Sequence, residues 1–129
     1  MYGLFADLLH TWDDMVDRDK PISAEEINRA FLIALALLPA NPVYQRVQGF
    51  AAPFWICVVQ AYEAANAMER EGEGHGLEIS HSLRYAAGHI IAYAMAATAG
   101  YEASARYAPE MWRCVIAERF EPYRMEHQK

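Results

Sequence analysis

The sequence has few of the features that mark secreted or membrane-spanning proteins. Its only two cysteines, Cys57 and Cys114, lie in apolar helical patterns, so we expect free thiols in the core. The N-terminus lacks the basic and long apolar regions of a signal peptide. The longest apolar run, from Phe50 to Val59, is well below the ~20 residues that span a bilayer. We therefore expect a cytoplasmic protein without a membrane partner.

Positive charge is also scarce. Against 17 Asp and Glu the chain has 11 Lys and Arg, which gives a net charge of −6, and its basic residues form no cluster. Phosphate contacts need clustered Lys and Arg, so we expect no nucleic-acid partner. The sequence also lacks a Gly-x-Ser-x-Gly elbow, a phosphate-binding glycine loop and a dinucleotide fingerprint. Nothing in it indicates nucleophilic catalysis.

Apolar residues, in contrast, are abundant and follow helical spacing. They make up 54% of the 129 residues, which is enough for one packed core. Because no stretch alternates as a strand does, the sequence predicts a single all-α domain over residues 1–129, built as a bundle of about five helices.

The first two helices have the clearest signals. Apolar residues recur at i, i+3, i+4 and i+7 from Tyr2 to about Asp17, which predicts an amphipathic helix. Ser23 and Glu26 form a capping box for a second helix, and Ile22 with Ile27 forms a hydrophobic staple. This helix, near residues 24–38, is apolar almost all round and is predicted to be central and buried. The two prolines of LPANP should end it and impose an extended connection.

Prolines and glycines divide the rest of the chain. A third helix should run to about Glu71, with Pro53 in its first turn or at a kink. The GEGHG segment then predicts a mobile loop. The remaining predictions are a small-residue helix from Leu77 to Ala99 capped by Gly100, a short helical segment from Tyr101, and a last helix opened by Pro109 and ended by Pro122.

Carboxylates cluster at one place in the first helix. Asp13, Asp14 and Asp17 stand at i, i+1 and i+4, a spacing that brings their side chains to one face. Mg²⁺ prefers oxygen ligands and is often held by one or two carboxylates, with substrate phosphates completing its shell. These aspartates are therefore candidate ligands for Mg²⁺ as a cofactor. His10 lies one turn before Asp14, and Arg29, Arg46 and Arg70 are candidate contacts for a phosphorylated small molecule.

A plainer interpretation competes with the metal site. The acidic residues lie opposite the apolar stripe of their helix, as on any solvated face. Arg18 and Lys20 follow directly and can neutralise them without a metal. The two interpretations differ in whether another element covers the acidic face.

Two resemblances rest on these residues. DDMVD, from Asp13 to Asp17, resembles the first aspartate-rich motif of class I isoprenyl diphosphate and terpenoid synthases. That likeness implies an all-α protein that holds Mg²⁺ against a diphosphate. A longer pattern runs from Trp12 to Pro21, from Asn28 to Phe31 and from Leu38 to Pro42. It resembles small phage-associated proteins of unknown function, which implies a helical fold and a viral or prophage origin, with the host cytoplasm as its location.

Two functions follow as expectations. The first is a non-enzymatic helical protein that self-associates or binds a protein partner. The alternative is Mg²⁺-dependent binding or turnover of a phosphorylated or diphosphate ligand at Asp13, Asp14 and Asp17. Because the acids face away from their own helix's core, we favour the first.

Overall fold

A computed structural model describes residues 1–18 and 20–129. The predicted all-α class is confirmed: the described residues form helices and turns and contain no strand. The helices are α1 (Tyr2–Asp17), α2 (Ala24–Leu32), α3 (Leu38–Ala40), α4 (Pro42–Glu71), α5 (Gly74–Leu83), α6 (Gly88–Ala99), α7 (Tyr101–Val115) and α8 (Phe120–His127), with a π-helical segment, Ile33–Leu37, between α2 and α3. The chain divides into two compact units, Met1–Gly49 and Phe50–Lys129, and α4 belongs to both.

In the first unit, the beginnings of α1 and α2 agree with the sequence. Helix α1 has the predicted bounds and buries Phe5, whose ring centroid lies 6.1 Å from that of Tyr44. It ends at Arg18, which has a left-handed φ of 55°. The capping box of α2 is confirmed, since Ser23 Oγ accepts from the Glu26 N–H at 3.1 Å and the Glu26 carboxylate accepts from the Ser23 N–H at 3.2 Å.

The helix near residues 24–38 is much less buried than predicted. Of its residues only Ala30, Ile33 and Leu38 are buried, so the prediction of a helix enclosed on all sides is wrong. The physical reason is that α1 packs against α2 and the π-helical segment on one side, which leaves their other apolar side chains uncovered. The extended connection of LPANP is confirmed only at Asn41, with ψ 126°. Its side-chain oxygen accepts from the N–H groups of Val43 and Tyr44 and so caps α4.

In the second unit, the predicted loop at GEGHG is wrong. Gly72 takes a φ of 68° just after α4, and α5 starts two residues later at Gly74. The Glu73 carboxylate accepts from the N–H groups of Gly76 at 2.8 Å and His75 at 3.0 Å. These two bonds lower the pKa of Glu73 and cap the helix. The Glu73 cap thus stabilises the start of α5 in a segment whose glycine content predicts a loop.

Several helix boundaries differ from the sequence prediction. The helix predicted over Leu77 to Ala99 is interrupted by a turn at residues 84–87, while Gly100 ends α6 as predicted, with φ 86°. Pro53 and Pro109 lie inside α4 and α7, and Pro122 lies inside α8 instead of ending the preceding helix.

Cys57 and Cys114 are exposed, so their assignment to the core is wrong. The apolar neighbours of both cysteines along the chain do not determine which face of α4 or α7 is buried.

The small residue Gly88 of α6 allows close helix packing. Helices α6 and α7 pack together, and a Cβ on Gly88 would lie 2.5 Å from a ring carbon of Trp112.

In the described part of the chain, no single helix is long and apolar enough to cross a membrane. One sharply bent pair, Ala24–Ala40 with Pro42–Glu71, satisfies that criterion by length and composition alone.

Candidate functional site

The three aspartates of the metal hypothesis lie in the last turns of α1. Asp13 and Asp14 are partly buried and Asp17 is exposed. Asp14 forms an ion pair with Lys20, with Oδ2 and Nζ 3.1 Å apart. Within residues 1–18 and 20–129, no group of three or more His, Cys, Asp or Glu side chains is arranged to hold a metal ion. Asp19, which belongs to the phage-like pattern, lies outside the described residues.

A shallow groove of about 510 Å³ adjoins Asp14. Its described lining combines one acid and two cations with apolar side chains: Asp14, Met15, Arg18, Lys20, Pro21, Ile22 and Ile27. The staple residues Ile22 and Ile27 thus share one surface depression. The cations beside Asp14 are the two that the plainer interpretation named.

The predicted phosphate contacts are dispersed. Arg29 pairs with Asp7, with Nη2 and Oδ2 3.1 Å apart at an exposed position. His10 and Arg46 are exposed in the first unit, Arg70 is exposed in the second, and all four residues lie outside the described lining of the Asp14 groove. Within the first unit, His10, Arg29 and Arg46 therefore lie outside the described lining of the groove beside Asp14.

Sequence reasoning missed a surface that we call the apolar ridge: Phe31, Leu32 and Leu35. These side chains are 59%, 50% and 75% exposed. Their spacing of i, i+1 and i+4 places them on one side of α2 and the π-helical segment. The signal was present in the sequence as the all-round apolar character of this helix, which we had interpreted as burial.

A second missed surface, which we call the aromatic patch, consists of Phe50, Phe54 and Tyr93 in the second unit. The Tyr93 ring centroid lies 5.6 Å from that of Phe50 and 6.3 Å from that of Phe54. Such separations suit tilted aromatic pairs, which gain energy beyond simple area burial. All three side chains remain exposed despite contacting one another. Hydrophobic periodicity predicts that each of these residues lies on a helix. It does not predict that α4 and α6 bring the three rings together.

The second unit also carries an open groove of about 560 Å³ formed by α5, the turn at residues 84–87, α6 and α7. Its described lining combines apolar and polar side chains: Glu78, Ile79, Ser82, Leu83, Tyr85, Ala86, His89, Trp112 and Ile116. The His89 ring stands edge-on to Trp112, with centroids 4.9 Å apart. The accessible surface of the groove is mainly apolar.

The most buried polar groups form a hydrogen-bonded cluster of Glu69, Ser80, Arg84 and Tyr123. The Tyr123 hydroxyl donates to Glu69 Oε1 at 2.8 Å and lies 2.5 Å from Ser80 Oγ. Arg84 pairs with the same Glu69 oxygen, and both side chains are nearly buried. Burial, with the Glu69 carboxylate adding to it, raises the pKa of Tyr123 above its usual range, although the Ser80 bond opposes the shift. Tyr123 is therefore a neutral donor that links α8 to α4 and α5.

Comparison of the chain with protein-family models, curated proteins and solved structures finds no match. The distinctive features of the described structure are two exposed apolar surfaces, the apolar ridge and the aromatic patch, and a buried polar cluster that links helices.

Proposed function

We propose that this chain is a non-enzymatic helical assembly protein that associates with further copies of itself through exposed apolar helix surfaces. The observation that carries the proposal is the apolar ridge, where three large side chains are at least half exposed on neighbouring positions. Burying such a side chain fully contributes about 1.5–3 kcal/mol. Covering what remains exposed of all three therefore supplies a substantial part of an association free energy.

The ridge lies partly on the π-helical segment. There the Leu38 N–H donates to the Ile33 carbonyl, five residues back, instead of four as in an α-helix. Single π turns inside α-helices are rare and occur frequently at functional sites. This unusual backbone supports a functional role for Leu35, which the segment carries.

The charge pattern supports a second copy as the partner. No Asp, Glu, Lys or Arg occurs between Arg29 and Arg46, so the ridge lies in an uncharged stretch of a protein with net charge −6. Two copies can meet there without bringing like charges together, whereas a strongly charged partner finds no complementary side chain in that stretch. The likeness of the N-terminal third to small phage-associated proteins supports a viral or prophage setting for this role.

The test is the molar mass in solution, measured by light scattering during gel filtration. We expect the wild-type protein to form an oligomer and Leu35→Glu to have a lower mass, because a charge would be buried unpaired at the contact. Met125→Glu is the matched control, since Met125 is 73% exposed on α8, close to the 75% of Leu35. Circular dichroism should show the same helix content in all three proteins.

Two results would contradict the proposal. One is a wild-type protein that stays monomeric at every accessible concentration. The other is a Leu35→Glu variant with the wild-type mass. The divalent-cation alternative rests on the sequence alone, and no contact in the described part of the chain favours it.

A further inference from the structure

The groove of the second unit combines a carboxylate with aromatic and apolar side chains. One face of α5 supplies four of its lining residues, at i, i+1, i+4 and i+5: Glu78, Ile79, Ser82 and Leu83. Trp112 lines the groove from α7. Its volume of about 560 Å³ falls within the range of about 300–1,000 Å³ that ligand pockets have. The groove is therefore large enough for a small molecule.

The Trp112 indole forms a fixed wall of this groove. Its six-membered ring lies over Gly88, where a Cβ would come within 2.5 Å and 2.8 Å of two ring atoms. The His89 ring packs edge-on against the indole, with centroids 4.9 Å apart. A side chain that is already held in place loses little conformational freedom when a ligand binds, which lowers the cost of binding. Trp112 thus offers a preformed aromatic surface.

The charged groups at the groove favour a cation. Among the described lining residues, Glu78 is the one acidic side chain, and no Lys or Arg occurs there. Its Oε2 lies 3.4 Å from His75 Nδ1, and a carboxylate can accept more bonds than this one. The hydroxyl of Tyr85, another lining residue, donates to the carboxylate of a second acid, Glu118, at 3.4 Å. An anionic ligand would therefore meet repulsion, whereas a cation would meet attraction.

We infer that this groove binds a small organic ammonium ion, with its positive group toward Glu78 and its apolar body against Trp112. Tryptophan is the aromatic side chain that attracts a cation most strongly. Arg84 lies between lining residues in the chain, but its guanidinium pairs with the nearly buried Glu69 and does not line the groove. This binding site goes beyond the proposed assembly role and does not depend on it.

Isothermal titration calorimetry with phenethylammonium chloride tests the inference. Phenethyl alcohol is the neutral analogue and hydrocinnamate the anionic one, and all three share a phenyl ring on a two-carbon chain. We expect the ammonium ion to bind at least about fivefold more tightly than the alcohol, and the anion to bind most weakly. Equal affinity of the ammonium ion and the alcohol, or no binding of the ammonium ion at millimolar concentration, would overturn the inference.

The role of the carboxylate is tested by Glu78→Gln, which keeps the size of the side chain and removes its charge. This variant should bind the ammonium ion no more tightly than the alcohol, and its affinity for the alcohol should equal that of the wild type. Glu63→Gln is the matched control, because Glu63 is also exposed in the second unit and lies outside the described lining. An unchanged ammonium affinity in Glu78→Gln would overturn the inference.

The three tryptophans allow the site to be located by NMR. The indole N–H signal of Trp112 is identified by its loss in Trp112→Phe, and it should shift on addition of phenethylammonium, while the signals of Trp12 and Trp55 should stay in place. A shift confined to Trp12 or Trp55 would place the ligand elsewhere and overturn the inference. A Trp112 signal that responds to protein concentration but not to the ammonium ion would assign the groove to a contact between copies, so that this inference fails and the assembly role stands.

Discussion

Tyr123 shows how one residue holds a helix in place. Its side chain is fully buried, and its hydroxyl bonds both to Glu69 and to Ser80. The rings of His81 and His127 lie 5.1 Å and 4.8 Å from its own, and the Arg84 guanidinium lies 5.8 Å from its centroid. This arrangement cannot be predicted from local sequence patterns, because Tyr123 is separated by 54 residues from Glu69 and by 43 from Ser80.

Tyr123→Phe should therefore destabilise the fold. It removes a hydrogen bond to a charged group, which is worth about 1.5–3 kcal/mol, and it leaves the ring packing intact. The measurement is a urea titration followed by circular dichroism. Tyr101→Phe is the control, since Tyr101 is highly exposed and its loss should change little. A midpoint for Tyr123→Phe equal to that of the wild type would contradict this role.

The same residue predicts a difference at alkaline pH. The pKa of Tyr123 is raised in the folded state, so its contribution is fully present below the ordinary tyrosine pKa of about 10. Above that pH the unfolded chain releases the proton while the folded chain retains it, and stability falls as pH rises. Tyr123→Phe should lose less stability than the wild type between about pH 9 and 11.

At the scale of single residues, sequence reasoning succeeded where the signal was local. The capping box of Ser23 and Glu26 involves residues three apart, and both hydrogen bonds are present. Cys57 was misassigned because apolar neighbours along the chain do not determine which face another element covers. For the aspartates, the nearness of Lys20 in the sequence allowed neutralisation of the acids to be predicted, and Lys20 pairs with Asp14 in the structure.

Helix packing in the second unit depends on the absence of a side chain at Gly88. A Cβ there would lie 2.5 Å and 2.8 Å from two Trp112 ring atoms and 3.2 Å from a Val115 methyl. Contacts under 3 Å require something to move, and the bulky indole is itself packed against His89. The close approach of α6 and α7 is thus encoded by one glycine.

Gly88→Ala should cost about 1–3 kcal/mol through overpacking, although alanine is the better helix former by about 1 kcal/mol. Gly49→Ala supplies the matched control, because Gly49 also lies in a helix and its added Cβ would meet nothing within 4 Å. That control should be neutral or stabilised in the same urea titration. Equal behaviour of the two variants would argue against close packing at Gly88.

Helix boundaries were predicted less well than helix positions, and proline is the main reason. An interior proline removes one hydrogen bond and costs about 3 kcal/mol, so the sequence predicts a first turn or a kink at Pro53, a helix start at Pro109 and a helix end at Pro122. In the structure Pro53 and Pro109 both lie within long helices. Val58, Tyr62 and Ala65 of α4 are buried, which stabilises the helix against the cost of its interior proline. That burial cannot be predicted from the sequence alone.

For the molecule as a whole, the all-α class followed from periodicity, but the division into two units did not. Composition gives the number of apolar residues, but it does not show which of them are buried in a core. The residues of the apolar ridge, which the sequence predicts to be buried, are therefore exposed in the structure. Because these residues are exposed, the proposed function rests on the apolar ridge and not on the aspartates of α1.

The π-helical segment has a consequence for chain length. Its backbone hydrogen bond joins residues five apart, instead of four apart as in an α-helix. The segment therefore contains one residue more than an α-helical turn, like a one-residue insertion within a helix. Removing one residue from Ile33–Leu37 would return the segment to ordinary α-helical spacing, with the flanking turns in nearly their present orientation, because the wide turn already absorbs the extra residue. The position of Leu35 beside Phe31 would then depend on which residue is removed. The number of residues in this segment therefore determines where Leu35 stands in the ridge.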